Sequence, residues 1–163
     1  SKHRAELVSK SLKPLGKFKV TTSDGREFGS KPDKYSRILL DAPCTGLGAL
    51  RRRPESRWRR TTDDLVDLVK LQRELIESSW NALEPGGVLA YVTCSPHLPE
   101  TTAQISWAQG KFKDQLELVN ANSILNAINP DLELDEKLFT TQLWPHVHGT
   151  DAMFLALMRK SVN

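Results

Sequence analysis

The two cysteines of this 163-residue chain each stand at the end of an apolar run. Cys44 ends the run RILLDAPC, and Cys94 ends the run GVLAYVTC. Each run predicts a strand buried in a parallel sheet, and ligands bind at the carboxyl edge of such sheets. Two thiols at that edge indicate covalent catalysis, because a cysteine thiolate is a strong nucleophile. The alternative is structural burial, which is common for a single cysteine.

Alternating strands and helices are expected to position these thiols. From the periodicity we predict helices over residues 3–15, 62–83 and 99–111, and strands over 17–21, 35–40, 87–93, 116–119, 139–143 and 152–158. Residues 120–137 show no clear pattern. Strands that alternate with helices across short loops predict a doubly wound α/β sheet.

Length and composition indicate an ordinary globular domain. The chain has a net charge of +3, and it contains no apolar run long enough to span a bilayer. Its first residues do not form a signal peptide, and two cysteines without a CxxC pattern suit a reducing compartment. We therefore expect a cytoplasmic protein with no membrane partner.

Positive charge is concentrated in the segment RRRPESRWRR, which holds six arginines in ten residues. A charge run is often only a solvated loop. Guanidinium groups beside an aromatic ring, however, suit RNA phosphates and a stacked base. The predicted RNA-binding residues are Arg51, Arg52, Arg53, Arg57, Trp58, Arg59 and Arg60.

Several motifs together resemble the RsmB/Sun (Fmu) family of ribosomal RNA cytosine-C5 methyltransferases. They are DAPCTG at 41–46, RRRP at 51–54, EPGG at 84–87, YVTCS at 91–95, SDGR at 23–26 and HGTD at 148–151. The resemblance covers nearly the whole chain, although residues 120–137 carry no motif. It implies a partial Rossmann-like class I methyltransferase sheet with helices on both faces and S-adenosylmethionine as the cofactor.

The resemblance also implies roles for individual residues. Cys94 would add to C6 of a cytosine, which makes C5 nucleophilic enough to accept a methyl group. Cys44 would assist the breakdown of this adduct. Asp41 would face both the cytosine and the cofactor, and Asp24 would hydrogen-bond the adenine end of the cofactor.

One family feature is not found in this sequence. The glycine-rich cofactor loop, the strand before it and the acidic residue that holds the ribose lie upstream of residue 1 in the family, and Gly46 and Gly48 are a weak substitute. The first strands of the sheet would then be lacking as well. We therefore expect residues 1–163 to be the C-terminal portion of a catalytic domain that is inactive alone. Strand 17–21 would lack its neighbour, so we expect a detached or swapped N-terminal segment, or a dimer.

Two other functions compete with RNA methylation. The chain could be a non-catalytic RNA-binding module, because the basic segment is present while much of the cofactor pocket is lacking. A different thiol enzyme is disfavoured by the lack of an evident partner for the cysteines. His146, His148 and Asp151 have ligand-type side chains, but no further ligands are evident, so we expect no metal site.

Overall fold

The computed structural model describes residues 2–16, 18–30, 35–59 and 61–162. The helices in these ranges are α1 (Lys2–Leu12), α2 (Ser56–Arg59), α3 (Thr62–Ala82), α4 (Thr102–Phe112), α5 (Ala121–Ile128) and α6 (Pro145–His148). The strands are β1 (Tyr35–Asp41), β2 (Leu83–Thr93), β3 (Leu116–Val119), β4 (Thr141–Gln142) and β5 (Phe154–Lys160). None of the helices described has the length and apolar character needed to cross a membrane.

The strands form one mixed sheet in the order β1-β2-β5-β3, and β4 also pairs with β5. β1 and β2 are parallel, with Asp41 opposite Val92, so the two strands that precede the cysteines end at the same edge. β5 is antiparallel to β2, with Phe154 opposite Thr93, so β5 begins at that same edge. The predicted α/β sheet is therefore confirmed.

Helices α3 and α4 contact each other and cover one face of the sheet. Leu89 and Tyr91 of β2 point into this layer and are fully buried. The rings of Trp80 from α3 and Phe112 from α4 stack with their centroids 4.5 Å apart. Residues of β2 and β5 on the other face are only half-buried, and Leu39 on the edge strand β1 is 72% exposed. The core thus lies between the sheet and the α3–α4 pair.

Helix α3 begins at a capping box and runs directly into β2. The Thr61 side chain accepts a hydrogen bond from the Asp64 backbone N–H, and the Asp64 carboxylate accepts one from the Thr61 N–H. The EPGG motif does not separate the helix from the strand as its sequence suggested. It forms the first part of β2, where Gly86 has φ of +78°, a conformation that favours glycine.

The strand predicted over residues 17–21 is wrong. Residues 18–24 form no regular element and are mostly exposed, and Lys17 lies outside the described residues. An alternating pattern forms a strand only where a neighbouring strand accepts its hydrogen bonds, and the described sheet places none beside this segment. A swapped segment or a dimer remains a prediction.

Residues 120–137, which had no clear pattern, form α5 and a loop that folds back on it. The Asn120 side chain accepts from the Ser123 N–H and caps the helix. The Asn122 and Asn126 side-chain amides donate to the carbonyls of Asp135 and Leu134. Asparagine side chains thus replace the apolar contacts that make a helix recognisable from its sequence.

Candidate active site

The two thiols meet at the carboxyl edge of the sheet. Cys94 directly follows β2, and Cys44 follows β1 by three residues. The Ala42 N–H donates to the Val92 carbonyl at 2.9 Å, which continues the pairing of the two strands toward the cysteines. The Cys44 and Cys94 sulfurs are 3.4 Å apart, and both thiols are free and half-buried. The two thiols are therefore in contact at the edge of the sheet where ligands bind.

The surroundings give the two sulfurs different acidities. A hydrogen bond from Cys44 lowers the pKa of Cys94 from its ordinary 9.0 to about 7, although burial and the carboxylates of Asp41 and Asp151 oppose this shift. The pKa of Cys44 is raised, first by its hydrogen bond to Cys94 and then by burial, with the charge of Glu100 adding to the effect. Cys94 is therefore the more acidic of the two thiols.

Both thiols line a cleft of about 890 Å³, which is large enough for a nucleotide-sized ligand. Asp41, the last residue of β1, lines the same cleft, as expected for a group near the thiols. The arginines that line it are Arg4, Arg52, Arg53 and Arg59. The cleft therefore combines a nucleophile, a carboxylate and positive charge.

A buried carboxylate, Glu100, lies behind the thiols and was not predicted from the sequence. Its Oε1 accepts from the Thr45 backbone N–H at 2.8 Å and from the Gln72 side-chain amide at 3.1 Å. Its Oε2 accepts from the hydroxyls of Thr45 and Ser95, each at 2.6 Å. Gln72 also donates to the Pro43 carbonyl at 2.9 Å. Glu100 thereby connects both cysteine loops with helix α3.

One sequence signal could have indicated this carboxylate. Each cysteine is followed by a hydroxyl residue, Thr45 in the first motif and Ser95 in the second. Two buried hydroxyls at one sheet edge need an acceptor. Glu100, which follows six residues after Cys94, is such an acceptor.

The glycines that follow Cys44 serve close packing. The Gly48 N–H donates to the Cys94 carbonyl at 2.9 Å, and the Gly48 carbonyl accepts from the Ala152 N–H at 2.9 Å. A Cβ atom at Gly48 would lie 2.8 Å from the Cys94 carbonyl carbon and would also collide with the Ala152 oxygen. The Gly48 N–H is therefore used within the protein and holds the Cys44 loop against the end of β2.

Part of the predicted RNA-binding segment lines the cleft, through Arg52, Arg53 and Arg59. Arg52 forms an ion pair with Asp151 through two guanidinium nitrogens and holds the pKa of Asp151 below its usual range. Trp58 is 83% exposed, and the Arg57 guanidinium carbon lies 5.7 Å from the centre of its ring. Arg51, Arg53 and Arg59 are also exposed, whereas Arg60 lies outside the described residues.

Asp24 does not lie in the cleft beside the thiols. Its carboxylate accepts from the Arg26 backbone N–H at 2.9 Å and from the Arg26 guanidinium, and these bonds lower the pKa of Asp24 to about 2. It does not line the cleft that contains both cysteines. Its contact with the cofactor therefore stays a prediction.

His146 and His148, near the end of the chain, lie on the one-turn helix α6. The His148 Nδ1 accepts a hydrogen bond from the Trp144 N–H at 2.9 Å. Within the described ranges, no three His, Cys, Asp or Glu side chains form a group that could hold a metal ion.

Comparison with known proteins gives concordant matches. The family described as 16S rRNA methyltransferase RsmB/F matches residues 1–159. A Mycobacterium tuberculosis protein with a methyltransferase name is 43% identical over 160 residues, which is 98% of this chain and 34% of that protein. Ribosomal RNA small subunit methyltransferase F of Salmonella arizonae is 34% identical over 142 residues, which is 86% of this chain and 29% of that protein.

A solved structure agrees with these sequence matches. The crystal structure of NSun6 from Pyrococcus horikoshii with SFG has a TM-score of 0.76 and 28% identity, over 100% of this chain and 40% of that chain. Such neighbours confirm a class I methyltransferase sheet. The chain spans about a third of the length of the curated relatives that it matches. Because the family match covers residues 1–159, the chain belongs to the RsmB/F family of 16S rRNA methyltransferases.

Proposed function

We propose that the complete protein transfers a methyl group from S-adenosylmethionine to C5 of a cytosine in ribosomal RNA, through a covalent bond between Cys94 and the base. The observation that carries this proposal is the thiol pair, with its sulfurs 3.4 Å apart at the cleft. Membership of the family supports methyl transfer to ribosomal RNA. A ribosomal RNA substrate would place the reaction in the cytoplasm.

The pKa of about 7 at Cys94 supplies a nucleophile at neutral pH. Its thiolate attacks C6 of the cytosine, so an S–C6 bond forms and the electrons of the C5–C6 double bond move toward C5. S-adenosylmethionine, when bound, would supply the electrophilic methyl group to C5, with the electron pair of the broken S–CH3 bond left on the sulfur of S-adenosylhomocysteine. A base then removes the C5 proton, the double bond forms again, and Cys94 leaves as a thiolate.

Cys44 is suited to the release step. In the free protein, the negative charge of Cys94 helps to raise the pKa of Cys44. Once Cys94 is bonded to C6 that charge is gone, so Cys44 becomes easier to deprotonate when a base is needed. We propose that Cys44 assists the removal of the C5 proton or the departure of Cys94 at this stage.

The cleft fits part of the cofactor. Asp41 is exposed beside both thiols and could contact the cofactor and the cytosine together. Asp24 would contribute only if its bonds to Arg26 leave an oxygen available. The Pyrococcus relative solved with SFG supports binding of this type of cofactor. The Gly48 N–H is bonded to the Cys94 carbonyl and does not face the cofactor, and we propose that residues 1–163 alone are inactive.

Substitution of each cysteine in the complete protein tests the proposal. Cys94→Ala should abolish both methylation and the covalent RNA complex seen on a denaturing gel, because the attacking sulfur is gone. Cys44→Ala should instead retain the covalent complex and accumulate it, because release is slowed. Unchanged methylation by Cys94→Ala would contradict the proposed chemistry.

The exposed arginines and Trp58 favour a second candidate, an RNA-binding module without catalysis. Under this alternative, residues 1–163 would bind RNA without any need for S-adenosylmethionine. Calorimetry with S-adenosylmethionine on this chain separates the two functions. Specific binding of the cofactor would argue against the module.

A further inference from the structure

Glu100 is fully buried, and the four hydrogen bonds of its carboxylate connect it with other segments of the site. We propose that Glu100 is a positioning residue that keeps the Cys44 loop and the Cys94 loop together, so that the two sulfurs stay in contact. Its catalytic consequence rests on the function proposed above. The effect of Glu100 on the contact between the two sulfurs can be measured without any RNA.

Both cysteine loops are hydrogen-bonded to the same oxygen atom of Glu100. Thr45 follows Cys44, Ser95 follows Cys94, and both hydroxyls donate to Oε2 of Glu100 at 2.6 Å. Each cysteine is therefore followed directly by a residue whose hydroxyl is hydrogen-bonded to this oxygen. Hydrogen bonds to a charged acceptor are shorter and stronger than neutral ones, so the carboxylate limits the separation of the loops.

The chemistry of the donors favours a carboxylate at this position. Oε1 faces two N–H donors, from the Thr45 backbone and the Gln72 amide, which cannot act as acceptors. Oε2 faces two hydroxyls, which can reverse their direction. Glutamine at position 100 would keep the first set of bonds and turn the second set into longer neutral ones. Alanine would remove both sets of bonds. Glu100→Gln is therefore the milder and Glu100→Ala the more severe form of the same change.

The acidity of Cys94 reports on the contact between the sulfurs, since the bond from Cys44 is the main cause of its lowered pKa. If Glu100 positions the loops, its loss separates the sulfurs and the pKa of Cys94 rises. If Glu100 acts only through its charge, removal of a negative group lowers the pKa of nearby thiols instead. The other charged groups that face Cys94, namely Asp41, Asp151 and Arg52, are the same in both cases. The sign of the change therefore separates positioning from simple electrostatics.

The test measures alkylation of Cys94 by iodoacetamide against pH in the complete protein, with the Cys94 peptide quantified by mass spectrometry. Glu100→Ala should move the midpoint upward by about one unit, and Glu100→Gln by a smaller amount in the same direction. Ser78→Ala is the matched control, because it removes a buried hydroxyl of α3 that bonds Gly25 instead of the cysteine loops. Its midpoint should equal that of the wild type.

Single-turnover methylation by the same variants gives the second measurement. Glu100→Gln should lower the rate about tenfold and leave the KM for RNA unchanged, because the RNA contacts are intact. If Glu100→Ala does not fold, the same measurements on Glu100→Gln and Ser95→Ala test the proposal. An unchanged or lowered midpoint in folded Glu100 variants overturns the positioning role. Methylation that survives Cys94→Ala overturns the proposed function alone, since the alkylation measurement does not depend on it.

Discussion

At the scale of single residues, two identical side chains acquire different properties from their surroundings. The contact between the sulfurs lowers the pKa of Cys94 and raises the pKa of Cys44, to which the charge of Glu100 also contributes. When environments push the pKa values of two neighbouring groups apart, the groups can take different roles in one reaction. The structure thus supports a nucleophile and an assisting thiol.

The lowered pKa of Cys94 predicts the pH dependence of its reactivity. Because the folded pKa is about 7 instead of 9.0, the thiolate is half-formed near neutral pH, and alkylation should rise as pH increases through about 7. Cys44→Ala removes the main cause of the shift, so the midpoint should move toward 9.0. Cys44→Ser retains a donor and should keep most of the shift. Equal midpoints for the wild type and Cys44→Ala would contradict the pairing.

Some of these residues could be predicted from the sequence and others could not. The motifs led to Cys94, Cys44 and Asp41, because each lies at the end of an apolar strand or just beyond it. Glu100 and Gln72 escaped prediction because their importance depends on hydrogen bonds to loops far away in the chain. Local patterns do not report such contacts.

At the scale of elements, the site depends on how closely three chain segments approach. Gly48 bonds the Cys94 carbonyl on one side and the Ala152 N–H on the other. It thereby joins the loop after β1, the end of β2 and the segment before β5. A residue without a side chain is required there because the backbones leave no space for one.

Gly48→Ala should therefore destabilise the protein. The added methyl group forces the backbones of Cys94 and Ala152 apart, which should lower the free energy of unfolding by about 1–3 kcal/mol, as overpacking does. Gly110→Ala is a matched control in helix α4, where an added Cβ meets nothing within 4 Å. It should be neutral or stabilising by up to about 1 kcal/mol, since alanine favours helices. Chemical denaturation of both variants measures the difference, and equal stabilities would refute the packing role of Gly48.

Elements with strong periodicity were predictable, and elements that depend on partners were not. Helix α3 and strand β1 match their predicted positions closely because their apolar residues repeat at the period of the element. Strand β2 ends where it was predicted to end but begins four residues earlier, at Leu83. The strand over 17–21 was wrong because its alternating pattern is not sufficient without a neighbouring strand. Helix α5 was missed because asparagine side chains stabilise its surroundings.

At the scale of the whole molecule, charge is distributed unevenly. The net charge is only +3, but the arginine segment concentrates positive charge at the mouth of the cleft. One member, Arg52, is bound to Asp151 and so connects this segment with the residues before β5. The other members that the structure describes, Arg51, Arg53, Arg57 and Arg59, are therefore the ones that we expect to contact phosphates.

RNA binding by the complete protein should depend on salt through these arginines. Replacing Arg51, Arg53, Arg57 and Arg59 together by alanine should reduce the slope of log K against log salt by about 3, if each contacts one phosphate. Arg159→Ala is the matched control, because Arg159 pairs with Glu117 on β3 at a distance from the cleft. Titrations over a range of salt concentrations measure the slope. A slope that is the same in the fourfold variant and the wild type would exclude phosphate contacts by this segment.

The antiparallel direction of β5 has a consequence for the order in which the site is completed during synthesis. Because Phe154 pairs with Thr93, the residues before β5, including Asp151, return to the edge that carries the sulfurs. A nascent chain that has not yet emerged as far as this strand holds both cysteines but lacks the ion pair between Arg52 and Asp151. The edge that carries the sulfurs is therefore assembled only after residues 151–160 have left the ribosome.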